Sequence, residues 1–164
     1  MKTVYLAGGC FWGVQHFFDQ FSGVISTETG YANGGKGDVT YEQVCASGSH
    51  AETVRVDFDD EIISLEQLLE YYFMVIDPFS INKQGEDMGA QYRTGIYYSD
   101  LSLKESIDAF IQKKTAELGA PLAVEVAALT DFCSAEEYHQ KYLEKNPNGY
   151  CHIGKEMFEI EMKN

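Results

Sequence analysis

The sequence predicts an α+β fold: a two-layer sandwich with a mixed, largely antiparallel sheet and helices packed on it. Three observations lead there. Segments of strand and helix periodicity mix without the strict strand–helix–strand alternation of a parallel fold. The chain has 164 residues, one domain's worth, and such a chain buries about 70% of its unfolded surface. Hydrophobic residues make up 45% and charged residues 23%, a globular composition that excludes a disordered chain. With no repeat, low-complexity tract or linker, residues 1–164 read as one unit with an irregular tail from about 146.

Lys2–Ala7 reads as a strand broken by Gly8-Gly9. From Cys10, Phe11, Val14, Phe18 and Phe21 recur at helical spacing, with Gly23 as the stop. Val24–Ala32 is strand-like and runs into the glycine loop Asn33-Gly34-Gly35-Lys36-Gly37. Thr40 and Gln43 have capping-box spacing for a short helical turn with Tyr41 and Val44. Ala51–Phe58 is a strand, and Ser64 with Gln67 caps a helix that Pro78 ends. Residues 79–91 read as a loop and 92–98 as a strand. Ser102 with Glu105 caps a helix closed by Gly119 and Pro121, and 122–129 is a strand. Ser134 with Glu137 caps a last helix to about Lys145, before the turn Asn146-Pro147-Asn148-Gly149.

Twelve basic against 26 acidic residues give a net charge of −14, which repels phosphate backbones and anionic lipid. Neither a nucleic acid nor a membrane is an expected partner, and the acidity serves solubility. No stretch approaches the roughly 18 apolar residues of a membrane span, and the start lacks the apolar core and cleavage site of a signal peptide. The four cysteines, Cys10, Cys45, Cys133 and Cys151, are scattered, which suits a reducing cytoplasm. They form no Cys-x-x-Cys pair, and His16, His50, His139 and His152 no His-x-x-x-His pattern, so no zinc site is expected. The glycine segments fit neither a phosphate loop nor a dinucleotide fingerprint.

Cys10 follows a strand and two glycines and opens a helix. Helix N-termini stabilise anions, and cysteines placed there have lowered pKa values; the alternative is a small apolar residue at a helix start. Phe11 and Trp12 are adjacent, so both cannot follow one buried face, and one should line a surface near Cys10. In Ala51–Phe58, period two puts Glu52 on one face with Val54, Val56 and Phe58. A carboxyl there holds its proton and is a candidate acid, unless the strand end lets it reach water. Tyr41, after the glycine loop, and Tyr92, beside Asp87, Gln91 and Arg93, are placed where a hydroxyl could face a cavity. Cys45 reads as buried and inert.

Gly9-Cys10-Phe11-Trp12-Gly13 resembles the signature of the A-type peptide methionine sulfoxide reductases. Gly30 to Gly34, Tyr41 to Cys45, His50-Ala51-Glu52, Gln84 to Asp87, Gln91-Tyr92-Arg93, Tyr138-His139-Gln140 and Asn146 to Cys151 are similar to the same family's pattern. The resemblance implies thiol-dependent reduction of methionine S-sulfoxide, free or in proteins. It makes Cys10 the nucleophile, Glu52 the acid, and Tyr41 and Tyr92 the hydroxyls that hold the sulfoxide oxygen. Phe11 and Trp12 wall the substrate methyl, Asp87 lines the same pocket, and Cys151 in a glycine-flanked, mobile tail resolves the sulfenic acid to a disulfide. Thioredoxin is the implied reductant, and no metal or organic cofactor is required. Met88-Gly89-Ala90 departs from the family's usual basic residue, Gly and Thr. Cys133 stands where an aromatic is more typical, as a second resolving thiol or a packing residue. A thiol peroxidase and a non-catalytic redox-sensing module are the competing readings; neither explains both the aromatic pair and Glu52.

Overall fold

Period-two alternation of apolar side chains in the central strands decides the architecture. The computed structural model describes residues 1–35, 39–47 and 50–160. In chain order the elements are β1 (Lys2–Ala7), α1 (Phe11–Asp19), β2 (Val24–Ala32), α2 (Tyr41–Ser47), β3 (Ala51–Phe58), α3 (Leu65–Met74), β4 (Lys83–Gln84) and β5 (Asp87–Met88). They continue with β6 (Gly95–Tyr98), α4 (Leu101–Leu118), β7 (Glu125–Ala128), β8 (Phe132–Ser134) and α5 (Tyr142–Lys145). Among the described residues, six strands form one sheet in the order β7-β6-β1-β3-β2-β8. Neighbours are antiparallel except β6 and β7. Parallel neighbours need a long crossover, which the 18-residue α4 supplies.

Val4, Leu6, Val54, Val56, Phe58 and Ile96 share one face of the sheet and pack in one core with residues of α1, α3 and α4. Phe17 and Phe18 of α1, Leu68 and Leu69 of α3 and Ile107 of α4 are fully buried there. Each such side chain contributes about 1.5–3 kcal/mol, so α1 and its first residue are firmly placed. The opposite face carries a smaller cluster of Tyr5, Ala7, Ala32, Ala51 and Tyr97, with Phe132 against it and no helix residue. The result is the two-layer α+β sandwich expected.

Local chemistry accounts for the helix starts. Thr40 and Gln43 form a reciprocal capping box: Gln43 N donates to Thr40 Oγ1 at 3.3 Å and Thr40 N to Gln43 Oε1 at 2.9 Å. Ser64 Oγ accepts from Gln67 N at 3.0 Å. Ser102 is not the cap of α4, because Asp100 two residues earlier accepts from Ser102 N at 2.9 Å.

Other boundaries move where tertiary bonds compete. α1 ends at Asp19, short of Gly23, with Phe21 buried beyond it. Residues 79–91 hold the β4–β5 hairpin, and the strand expected from 92 starts at Gly95 because Tyr92 closes a 3-10 turn on Gly89 at 3.0 Å. The strand expected over 122–129 shortens to β7. The helix expected from Ser134 to Lys145 is broken. Ser134 pairs with Gly30 in the sheet, and Glu137–His139 is a 3-10 turn. Lys141 takes a left-handed φ of 55° with its amide on Gln15 Oε1 at 2.8 Å and its ammonium on Asp19 at 2.8 Å. Lys36 and Gly37 of the glycine loop lie outside the described residues.

Candidate active site

Cys10 is the N-cap of α1, delivered by β1 through a turn whose Gly9 has φ +84°, a conformation that favours glycine. The buried Tyr72 hydroxyl fixes the end of β1, donating to Ala7 O at 2.5 Å and accepting from Gly95 N at 3.1 Å. The Cys10 side chain is buried and makes no capping bond.

Glu52, at the start of β3, projects from the core face onto the same helix start. It is 1% exposed, so the water-reaching alternative is excluded. Phe11 N donates to Glu52 Oε1 at 3.2 Å, and Oε2 has no partner among the described residues. Burial pushes the carboxyl up to about 8; the Phe11 amide opposes this, and the charge of Asp87 adds to it. Below that pH the group is a neutral acid with one oxygen free to donate.

The helix start does not activate the thiol in the resting site. Burial, then the charge of Glu52, holds Cys10 well above the usual thiol range, against the lowering effect of the Trp12 amide. The expected depression is thus outweighed, because desolvating a thiolate costs more than one exposed helix dipole returns.

Tyr41, from the first turn of α2, and Tyr92, after the β4–β5 hairpin, converge near Glu52. Their hydroxyls share a hydrogen-bonding contact, and both feel the charge of Glu52. Burial, then Glu52, raises Tyr92 to about 12 and burial raises Tyr41 further, so both remain O–H donors. Asp87 in β5 accepts the Tyr150 hydroxyl at 3.1 Å, and burial raises its carboxyl.

The aromatic pair separates as expected. Phe11 is buried against Tyr31 and His139, while Trp12 is half-buried. Trp12 stacks on Tyr142 at 3.7 Å and donates from Nε1 to His139 Nδ1 at 2.9 Å, which puts the imidazole proton on Nε2. His139 also carries the Tyr41 ring at 4.8 Å. Tyr41 N donates to Glu136 Oε2 at 3.1 Å. His139, Tyr142, Tyr150 and Glu136 were not singled out as site residues from the sequence. They lie in short turns and the one-turn α5, where no periodicity points to a face; motif similarity marks His139 and Tyr150, and no sequence signal marks Glu136 or Tyr142.

The other thiols are placed differently. Cys151 feels Cys10 electrostatically, and its Sγ rests over Gly13, where a Cβ would lie 2.5 Å away. Residues 10 and 13 share a helix face one turn apart, so the bare Gly13 backbone lets this sulfur sit beside Cys10. The tail is docked rather than loose here: Ile153 is buried in the core and its amide donates to Cys151 Sγ at 3.3 Å. Cys133 lies in β8, separated from Glu52 by Tyr31 of β2, with its sulfur accepting from Val39 N at 3.5 Å. Cys45 is exposed rather than buried, with Gln91 Nε2 on its sulfur at 3.5 Å; the seven-residue α2 leaves it outside the core.

Gly13→Ala tests the sulfur's seat. Alanine favours the helix by about 1 kcal/mol, yet its Cβ would meet Cys151 Sγ at 2.5 Å and Ile153 Cδ1 at 3.1 Å. The variant is expected to fold while its Cys10–Cys151 disulfide forms about tenfold more slowly under a mild oxidant, by thiol titration. An unchanged rate would mean that Cys151 reaches Cys10 from elsewhere.

The profile of the family described as peptide methionine sulfoxide reductase matches residues 2–164. A peptide methionine sulfoxide reductase MsrA of Lachnoclostridium phytofermentans is 53% identical over 159 residues, 96% of each chain. One from Clostridium perfringens is 51% identical, covering 93% of this chain and 98% of the relative. Among solved structures, reduced Mxr1 of Saccharomyces cerevisiae superposes with TM-score 0.86 at 31% identity, covering 93% of this chain and 91% of that one. Mxr1 in complex with Trx2 matches with TM-score 0.58 at 18% identity, covering 86% and 84%.

Proposed function

The chain belongs to the peptide methionine sulfoxide reductase family, and from that premise we propose how its residues reduce methionine sulfoxide. The substrate is methionine S-sulfoxide, free or in proteins. The observation that carries the reading is the buried Glu52 carboxyl, with Oε1 on the Phe11 amide and Oε2 unpaired beside Cys10. Glu52 gives its proton to the sulfoxide oxygen, which the Tyr41 and Tyr92 hydroxyls hold as charge develops. Once ionised, Glu52 takes up the thiol proton as Cys10 attacks sulfur. The raised thiol pKa disfavours a thiolate in the resting site, and ionised Glu52 is the base beside it once the sulfoxide has taken the carboxyl proton. The oxygen passes to Cys10 as sulfenic acid and methionine departs. Phe11 and Trp12 wall the methyl group, and Asp87 lines the pocket.

Cys151 then condenses with the sulfenic acid, releasing water and leaving a disulfide. It also lines an open groove of about 460 Å³ with Leu143, Pro147 and Phe158, so an external dithiol can reach it for exchange. Thioredoxin fits that role, in keeping with the Mxr1 complex with Trx2. Residues 1–164 act as one catalytic domain, the tail from about 146 supplying the resolving thiol. No helix among the described residues is long and apolar enough to cross a membrane; the scattered cysteines support a cytoplasmic setting. The family match does not favour a peroxidase or a non-catalytic redox sensor.

Fully reduced protein given methionine S-sulfoxide without reductant should release about one methionine per chain and lose two thiols. Release of none would overturn the reading. Cys151→Ser is expected to keep that first turnover and lose thioredoxin-driven cycling, with dithiothreitol rescuing it in part. Cys133→Ser is expected to cycle normally, since its sulfur is held at Val39. The reverse pattern would make Cys133 the resolver; two active single variants with a dead double would make the thiols interchangeable.

A further inference from the structure

The residues on both sides of Cys151 face one carboxylate oxygen. Asp87 Oδ2 accepts the Tyr150 hydroxyl at 3.1 Å and stands 4.0 Å from His152 Nδ1. The His152 side chain is 4% exposed, and the polar groups beside its ring are the Asp87 carboxylate and the Gly8 backbone. Its ring lies against the turn that leads to the nucleophile: a Cβ on Gly9 would come within 2.9 Å of the ring. On the hairpin side, a Cβ on Gly85 would lie 3.2 Å from that of His152. Burial lowers the imidazole pKa, with the Asp87 charge and then a hydrogen bond to the Gly8 backbone pulling the other way. A buried imidazole desolvates polar atoms in space that an aliphatic side chain would fill without that cost.

We propose that His152 is a positioning residue of the resolving step: seated between Gly9, Gly85 and Asp87, its ring holds Cys151 over Gly13, one helical turn from Cys10. The proposal rests on the reading of Cys151 as the resolving thiol. Because the ring touches Gly9, nucleophile and resolver are referenced to one wall, and the sulfenic acid meets its partner without a search of the tail. In the step itself the Cys10 S–O bond breaks, an S–S bond forms to Cys151, and the hydroxyl leaves with the Cys151 proton as water.

The test mixes reduced wild type, His152→Ala and His152→Leu with one equivalent of methionine sulfoxide and no reductant. Methionine release, sulfenic acid captured by a dimedone-type trap, and disulfide are read from the same quenched samples. Methionine release is expected to stay within about twofold of wild type, while disulfide formation slows about tenfold or more and trapped sulfenic acid accumulates. His152→Asn, which returns a polar donor near Asp87, should recover part of the rate. A wild-type disulfide rate in His152→Leu would reduce the ring to a filler and overturn the proposal. So would a parallel loss of methionine release and disulfide in every folded variant, which marks general damage. Absence of methionine from the wild type would strike the functional reading itself. Should the alanine variant not fold, the leucine and asparagine variants decide the matter.

Discussion

Cys10→Ser is expected to abolish sulfoxide reduction, with both thioredoxin and dithiothreitol, by on the order of 10⁴-fold or more. A hydroxyl cannot follow the thiol's course, since it is hardly ionised near neutral pH and has no accessible sulfenic state. The fold should survive and even gain. Cys10 occupies the N-cap of α1 without a capping bond, and serine is a preferred residue there, worth about 0.5–2 kcal/mol over a non-capping side chain. Lost activity with a held or raised melting temperature separates a missing nucleophile from a missing structure. Methionine release by the folded variant would remove Cys10 from its assigned role.

Glu52→Gln is expected to slow methionine release by about 10²–10⁴-fold in a single turnover, the contribution of a positioned acid. The amide keeps an oxygen for the Phe11 N–H but has no proton to give. Because Glu52 titrates at about 8, the wild-type rate should decline as pH rises through that value, and the variant should lack that limb. Stability follows with the opposite benefit. The folded state holds a proton between the ordinary carboxyl value of 4.5 and about 8 that the unfolded chain has released. Wild-type stability therefore falls as pH rises through that window. Glutamine removes the fall, so its advantage in melting temperature should grow from acid to mildly alkaline pH. A rate within about threefold of wild type would be too small a loss for general acid catalysis.

Cys45 and the tail show where reading from sequence stops. Cys45 reads from the sequence as a buried, inert thiol, but α2 is only seven residues long and leaves it exposed. The glycines around Cys151 suggested mobility, whereas Ile153 in the core and His152 in its slot dock the segment. Exposure and docking depend on what packs against a segment, and that partner comes from another part of the chain.

The features legible in the chain are those carried by short-range rules. Strand alternation put Glu52 on the face of Val54, Val56 and Phe58; capping chemistry located α2 and α3; the turn Gly8-Gly9 before a helix singled out Cys10. Each rests on residues within a few positions of one another, where backbone geometry dictates which side chains share a face. Quantities that sum contributions across the fold depend on long-range packing. Burial and the Glu52 charge reversed the thiol depression expected at the helix start. Distant hydrogen bonds, such as Lys141 to Asp19 and Gln15, broke the last helix into turns that bring His139, Tyr142 and Tyr150 to the site. Desolvation grows with everything that displaces water around a group, and no local pattern records that sum.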